Sequence, residues 1–272
     1  MTPPEPVFSN ATARLTQPER GIWLFEMLRA DAMNTLTLEL LDALAATLEH
    51  CQRENTRALV ISGSDRAFCC GAHLRYFAGE DAIFTEPLIA RDRYLARIAT
   101  LFDRLEECPF PTIAAVNGFA LGGGCELALS CDLRVLAAEA RIGLPETKLG
   151  AIAGAGGVQK LVRHVGRSKA LEWILLARQI DAATAAQYGL TTAVVPRDEV
   201  LATAIALARE LRALGPQAIA QSKATIYTSE DADLRTARRY GLDALSMLVG
   251  SAEFREGMSA FVNKRAPGFD AW

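Results

Sequence analysis

Histidine is scarce in this 272-residue chain, and its cysteines are not spaced for metal. Three histidines and six cysteines (Cys51, Cys69, Cys70, Cys108, Cys125, Cys131) include no Cys-x-x-Cys pair, which argues against a zinc site. An excess of charge of one sign is missing too. The chain has 29 Lys and Arg against 32 Asp and Glu, a net −3, so no basic surface marks a nucleic-acid binder. The opening Met1-Thr-Pro-Pro-Glu-Pro-Val has neither an apolar signal core nor an Arg-rich presequence. The expectation is a cytoplasmic protein with reduced thiols, its cysteines serving as small apolar core groups. Repeats, low-complexity tracts and long linkers are also lacking. One stretch, residues 112–131, is apolar enough to suggest a membrane span. It also holds Asn117, Glu126 and four glycines, which lipid would penalise heavily. A buried strand, a glycine turn and a helix start account for it better.

What is present suits a folded domain: half of the residues are apolar and 22% are charged. Residues 11–15 and 22–27 read as a hairpin turning through residues 17–21. A helix follows from Thr37, with Leu38, Leu41, Leu44, Ala45 and Leu48 at helical spacing. Short buried strands are expected at 59–62, 112–116 and 133–136, with a helix over 87–107. Alternating strands and helices imply an α/β architecture. From Val158 to Lys264 the pattern is helical, broken at Gly166, Gly189 and Gly215-Pro216, with one further strand at 194–196. The tail has few residues with which to make a core of its own and should pack on the rest of the chain or on another subunit.

The chemistry concentrates in Asn117-Gly-Phe-Ala-Leu-Gly-Gly-Gly-Cys-Glu126. Three consecutive glycines after a buried strand add no packing area, but they admit unusual backbone angles and a close approach to main-chain N–H groups. Where a helix begins, those N–H groups are unpaired and favour negative charge. A plain tight turn would explain the run as well. Neither G-x-G-x-x-G nor the phosphate loop G-x-x-x-x-G-K-[ST] fits, so an oxyanion is the better guest than a nucleotide. Glu126 follows within a turn, and Glu146 stands in Leu144-Pro-Glu-Thr-Lys-Leu-Gly ahead of a second glycine cluster, Gly154-Ala-Gly-Gly157. Two glutamates beside glycine loops could work as general acid and base. A lone acid at a helix start is otherwise a dipole partner. A third loop, Ala67-Phe-Cys-Cys-Gly-Ala-His73, could add a main-chain N–H to the same oxyanion. Tyr94, Trp173 and Tyr240 are aromatic candidates for a ligand pocket or the core, with core the default.

The segment Ala115-Val-Asn-Gly-Phe-Ala-Leu-Gly-Gly-Gly-Cys-Glu-Leu-Ala closely resembles the crotonase, or enoyl-CoA hydratase/isomerase, superfamily. So do Leu144-Pro-Glu-Thr-Lys-Leu-Gly, Ala67-Phe-Cys-Cys-Gly-Ala, Arg167-Ser-Lys-Ala and Glu256-Gly-Met-Ser-Ala-Phe-Val-Asn-Lys-Arg265, all in family order. The resemblance implies a spiral ββα core over residues 1–195 and a helical C-terminal trimerisation region over 196–272, assembled as a trimer or a hexamer made of two trimers. It implies an oxyanion hole from the N–H groups of Ala72 and Gly123, with Glu126 activating water and Glu146 protonating the α-carbon of an enoyl-CoA. It assigns help in orienting the pair to the Gly154 N–H. CoA contacts fall to Ala72, Phe261 and Lys264. CoA is part of the substrate, so no separate cofactor, metal, nucleic acid or membrane is implied. The chain departs from the family pattern at His73, where an Asp is usual, at Ala153 for a frequent Pro and at Val158 for a frequent Thr. Other acyl-CoA chemistry of the superfamily, or acyl-CoA binding without catalysis, are the alternatives.

Overall fold

The computed structural model describes residues 5–80 and 82–269; residues 1–4, where the N-terminal reading begins, lie outside the described residues. The strands are β1 (Phe8–Ser9), β2 (Ala13–Glu19), β3 (Ile22–Met27), β4 (Ala58–Ser62), β5 (Ala67–Cys69), β6 (Thr112–Val116), β7 (Phe119–Leu121), β8 (Leu133–Ala137), β9 (Arg141–Gly143), β10 (Ile180–Asp181) and β11 (Ala193–Val195). They form a seven-stranded sheet in the order β1-β2-β3-β4-β6-β8-β11 and a four-stranded sheet in the order β10-β9-β7-β5. From β3 onward the large sheet is parallel, and every residue of β4 and β6 is buried. These strands are covered on both faces, so they read as continuous apolar runs rather than alternating ones.

Three buried strands of the large sheet are each followed within a few residues by a short strand of the small one: β4 by β5, β6 by β7, β8 by β9. This repeated step is the ββα unit of the spiral. The first helix, α1 (Leu38–Arg53), starts as expected at Thr37, whose hydroxyl accepts the Leu40 N–H. Next come α2 (Pro87–Ala90), a π-helical turn at Arg91–Leu95, and α3 (Ala96–Glu107). After them run α4 (Gly123–Leu129), α5 (Gly157–Val165), α6 (Arg167–Leu175), α7 (Ala182–Gln187), α8 (Val200–Arg212), α9 (Pro216–Glu230), α10 (Leu234–Leu248) and α11 (Ala252–Val262). Helix α8 lies against β3, β4, β6 and β8, so the sheet is covered by a helix beyond residue 195. Helices α9 and α10 pack on each other. The stretch that suggested a membrane span is β6, β7 and α4, and no described helix is long and apolar enough to cross a membrane.

Two expectations need correction. The sequence puts the hairpin turn at residues 17–21, yet β2 runs on to Glu19 and only Arg20-Gly21 turns. A register shift between Thr16 and Glu19 absorbs Pro18 without ending the strand. The loop around residues 67–74 and the approach to the glycines hold β5 and β7, which are too short for periodicity to reveal.

Candidate active site

Two loops bring backbone N–H groups side by side. One leaves β5 as Gly71-Ala72-His73, with Gly71 in the left-handed region at φ +83°. The Leu36 N–H holds the Gly71 carbonyl at 2.8 Å. The other leaves β7 through Gly122, at φ +56° and ψ −128°, and enters α4 at Gly123. A β-carbon on Gly71 would stand 2.8 Å from the Gly123 nitrogen, and one on Gly123 would stand 3.5 Å from the Ala72 nitrogen. Side chains would therefore fill the space between the two amides, and glycine keeps it open. Among the described residues neither the Ala72 nor the Gly123 N–H donates to a protein acceptor. Adjacent unpaired donors, one of them at a helix start, suit an oxygen that gains negative charge.

The carboxylates bracket this turn. Glu126 sits one turn into α4 and is 4% exposed. Its Oε1 accepts the N–H groups of Ala155 and Gly157, each at 2.8 Å. Burial pushes its carboxyl above the usual range, while the two N–H donors and the Lys160 ammonium act in the opposite direction. Glu146 opens a single 3₁₀ turn, Glu146–Leu149, closed by Gly150 in the left-handed region. Its Oε1 lies against Gly122, where a β-carbon would approach it to 2.9 Å. Its Oε2 is buried with no hydrogen-bond partner among the described residues. Burial pushes Glu146 up to about 7, opposed by its own backbone N–H and helped, to a lesser extent, by the nearby Glu126 charge. One carboxylate is anchored by donors and the other is left loose near neutral pH. That contrast separates a base from an acid.

The structure thus brings Ala72, Gly123, Glu126 and Glu146 together. Gly154, expected to orient the pair, donates to neither carboxylate; Ala155 and Gly157 do. The signal for Gly157 is present in the sequence, since it begins α5 after Gly156 and the first N–H groups of a helix have no intrahelical partner, whereas nothing in the sequence marks Ala155. His73 turns its Nδ1 to the Thr35 hydroxyl at 2.9 Å and meets the Tyr76 ring edge-on, so its side chain has structural partners. Burial, then the charges of Arg75 and Arg29, lower its pKa. Burial holds the Cys69 thiol at about 12 and the Cys70 thiol at about 11, far from a reactive thiolate. Tyr94 and Trp173 are core residues, whereas Tyr240 is exposed. Phe261 and Lys264, at the end of α11, are exposed, and no hydrogen bond joins their side chains to the constellation. A large cavity lies elsewhere, between β8, α5 and α9, lined by Asp132, Lys160, Lys223 and Tyr227. Its ion pairs, Lys160 to Glu106 at 2.6 Å and Lys223 to Asp132 at 2.9 Å, stand behind α4.

The family model described as enoyl-CoA hydratase/isomerase matches residues 17–271. The 2,3-dehydroadipyl-CoA hydratase of Escherichia coli is 36% identical over 252 residues, covering 92% of this chain and 96% of that protein. A protein of Rhizobium meliloti named as a probable enoyl-CoA hydratase is 35% identical over 256 residues, covering 94% and 96%. Among solved structures, the enoyl-CoA hydratase of Bacillus anthracis superposes with a TM-score of 0.89 at 35% identity, covering 96% of this chain and all of that one.

Proposed function

We propose that this chain, which belongs to the enoyl-CoA hydratase/isomerase family, adds water reversibly and syn across the 2,3-double bond of an enoyl-CoA thioester. One observation carries the reading: two unpaired N–H groups stand beside two carboxyls whose environments differ. In this reading the thioester oxygen accepts the Ala72 and Gly123 N–H groups. Glu126, ionised and held by Ala155 and Gly157, takes a proton from water as the water oxygen bonds to C3. The π electrons of the double bond pass to the thioester carbonyl, whose oxygen becomes an enolate held by the two donors. Glu146, protonated below about 7, gives its proton to C2 as the carbonyl re-forms. The Gly154 N–H is left to the water between the carboxyls.

CoA belongs to the substrate and no further cofactor enters. Phe261 and Lys264 are assigned to the adenine end of CoA. That role places them against a neighbouring copy, as a trimer or a hexamer would. Exposed apolar residues on the last helices support this: Leu234 is 84% exposed and Phe261 83%. The six free thiols, five of them buried, fit a reducing cytosol.

The test is kinetic. On crotonyl-CoA, Glu126→Gln and Glu146→Gln should each lower kcat by about 10²–10⁴-fold with KM little changed. The double variant should be scarcely worse than either single, because the pair acts on one water. Turnover of a 3-enoyl-CoA or of cinnamoyl-CoA in place of crotonyl-CoA would redirect the reading to isomerisation or to aromatic acyl-CoA chemistry. Multiplicative losses in the double variant would refute the shared water.

A further inference from the structure

The Tyr94 ring is fully buried among Tyr76, Phe77 and Phe84, with ring centres 5.3–5.7 Å away. By packing alone it is an ordinary core residue. Its hydroxyl is not. It accepts the His73 N–H at 2.8 Å and donates to the Leu36 carbonyl. The Leu36 N–H in turn binds the Gly71 carbonyl at 2.8 Å. Leu36 and Ala72 thus form an isolated parallel bridge, closed directly at Gly71, while at its other end the Tyr94 hydroxyl stands between the His73 N–H and the Leu36 carbonyl. Ala72, in the middle, keeps its N–H free. Leu36 also reaches the other amide: its Cδ1 would lie 2.9 Å from a β-carbon on Gly123. One buried residue thus sets the spacing of the two donors, and the tyrosine closes the tie. Tyr94 lies within Arg91–Leu95, the one π-helical turn among the described residues. Such turns re-aim side chains out of α-helical register and recur at functional sites.

We propose that Tyr94 is a positioning residue of the oxyanion hole, its hydroxyl fixing the Ala72 N–H through His73 and Leu36. The inference rests on the reading that Ala72 and Gly123 bind the thioester oxygen. Losing the hydroxyl leaves a buried N–H and a buried carbonyl without their shared partner, and such groups rearrange to find others. The Ala72 N–H then drifts from its place opposite Gly123.

Tyr94→Phe keeps the ring and removes only the oxygen. The matched control is Tyr76→Phe, which keeps the ring that meets His73 and removes a hydroxyl bonded to the Leu38 N–H rather than to any of residues 71–73. Two readouts are needed. The first is crotonyl-CoA hydration, in which Tyr94→Phe should lower kcat on the order of tenfold with KM nearly unchanged, less than the 10²–10³ that deleting a donor costs. The second is the absorption of bound cinnamoyl-CoA, which needs no turnover. Donors on the thioester oxygen shift it to longer wavelength, and the shift should shrink in Tyr94→Phe and persist in Tyr76→Phe. A full shift and full kcat in Tyr94→Phe overturn the proposal, as does an equal loss in Tyr76→Phe. If the unaltered protein shifts the ligand without hydrating any enoyl-CoA, the hydratase reading fails and the positioning role stands. If it binds the ligand without shifting it, the oxyanion hole and Tyr94's part in it fall together. Should Tyr94→Phe not fold, deuterium exchange in the unaltered protein decides: a protected His73 amide upholds the tie, and one exchanging at the open-chain rate breaks it.

Discussion

Glu126 and Glu146 are the same side chain in two settings, and the difference has a consequence for stability as well as for rate. A carboxyl whose Oε2 is buried without a partner prefers its proton, so Glu146 titrates in the folded protein at about 7 against 4.5 for the ordinary group. Below 4.5 it is protonated whether the chain is folded or not, and it costs nothing extra. Between 4.5 and 7 the unfolded chain releases a proton that the folded one keeps, so stability falls as pH rises. Above 7 the folded protein carries the full burden of a buried charge. Glu146→Gln removes that burden. The variant should melt at a higher temperature than the unaltered protein at pH 8, with the gap closing toward pH 4.5. A melting difference that is flat with pH would mean that Glu146 keeps its ordinary pKa in the folded protein. The rate has the complementary signature: kcat/KM should fall as pH rises through about 7, because the acid is lost.

At the scale of elements, the site is made by where short strands end and helices begin. Helix α4 starts at the open side of the Gly122 turn, and α5 starts where its Gly157 N–H meets Glu126. Long elements were readable from sequence because periodicity accumulates: α1 with its Thr37 cap and the wholly buried β4 and β6 follow from apolar spacing alone. The small sheet was not readable, because strands of two or three residues such as β5 and β10 complete no pattern. The same limit shapes the site. Gly122, Gly123, Glu126 and Glu146 stand out by residue type, and the family resemblance supplied Ala72. Ala155 donates through its backbone, which leaves no mark in a side chain, and Tyr94 looks like any buried aromatic. Gly157 can be tested directly. A β-carbon there would lie 2.7 Å from Cγ and 2.9 Å from Oε1 of Glu126, and 3.0 Å from Leu144. These are side-chain atoms that can give way, so the fold should survive Gly157→Ala at a cost of about 1–3 kcal/mol. The carboxylate must move to make room. We expect kcat on crotonyl-CoA to drop at least tenfold with KM steady, and an unaltered kcat in a variant whose melting point has fallen would detach the position of Glu126 from catalysis.

Across the whole molecule, the last helices are tied to the core yet expose much of their apolar surface. The Arg57 guanidinium, buried beside β4, binds the carbonyls of Arg212, Leu214 and Phe269, stitching the end of α8 and the C-terminal segment together. Glu253 of α11 accepts the N–H groups of Gln217 and Ala218 at the start of α9. Deleting everything after Gly250 would therefore strip the cap from α9 as well as remove the surface in question, and its failure would say little about assembly. A point change separates the two. Phe261 is 83% exposed and Val262 76% exposed in the single chain, so Phe261→Asp should alter folding of the protomer by no more than about 0.5 kcal/mol. If that ring is buried against a second copy, an aspartate there carries an unpaired charge into an apolar contact, which is far more costly. The expected result by light scattering is a smaller particle with an unchanged far-UV spectrum, and, with Phe261 in its proposed place at the adenine end of CoA, a raised KM for the thioester. Lys264→Ala provides the contrast, since a flexible cation near phosphates contributes binding without holding subunits: KM should rise while kcat and particle mass stay put. A Phe261→Asp protein of unchanged mass and unchanged KM would show that α11 faces solvent in the working enzyme, and the CoA contacts assigned to Phe261 would have to be sought elsewhere on the chain.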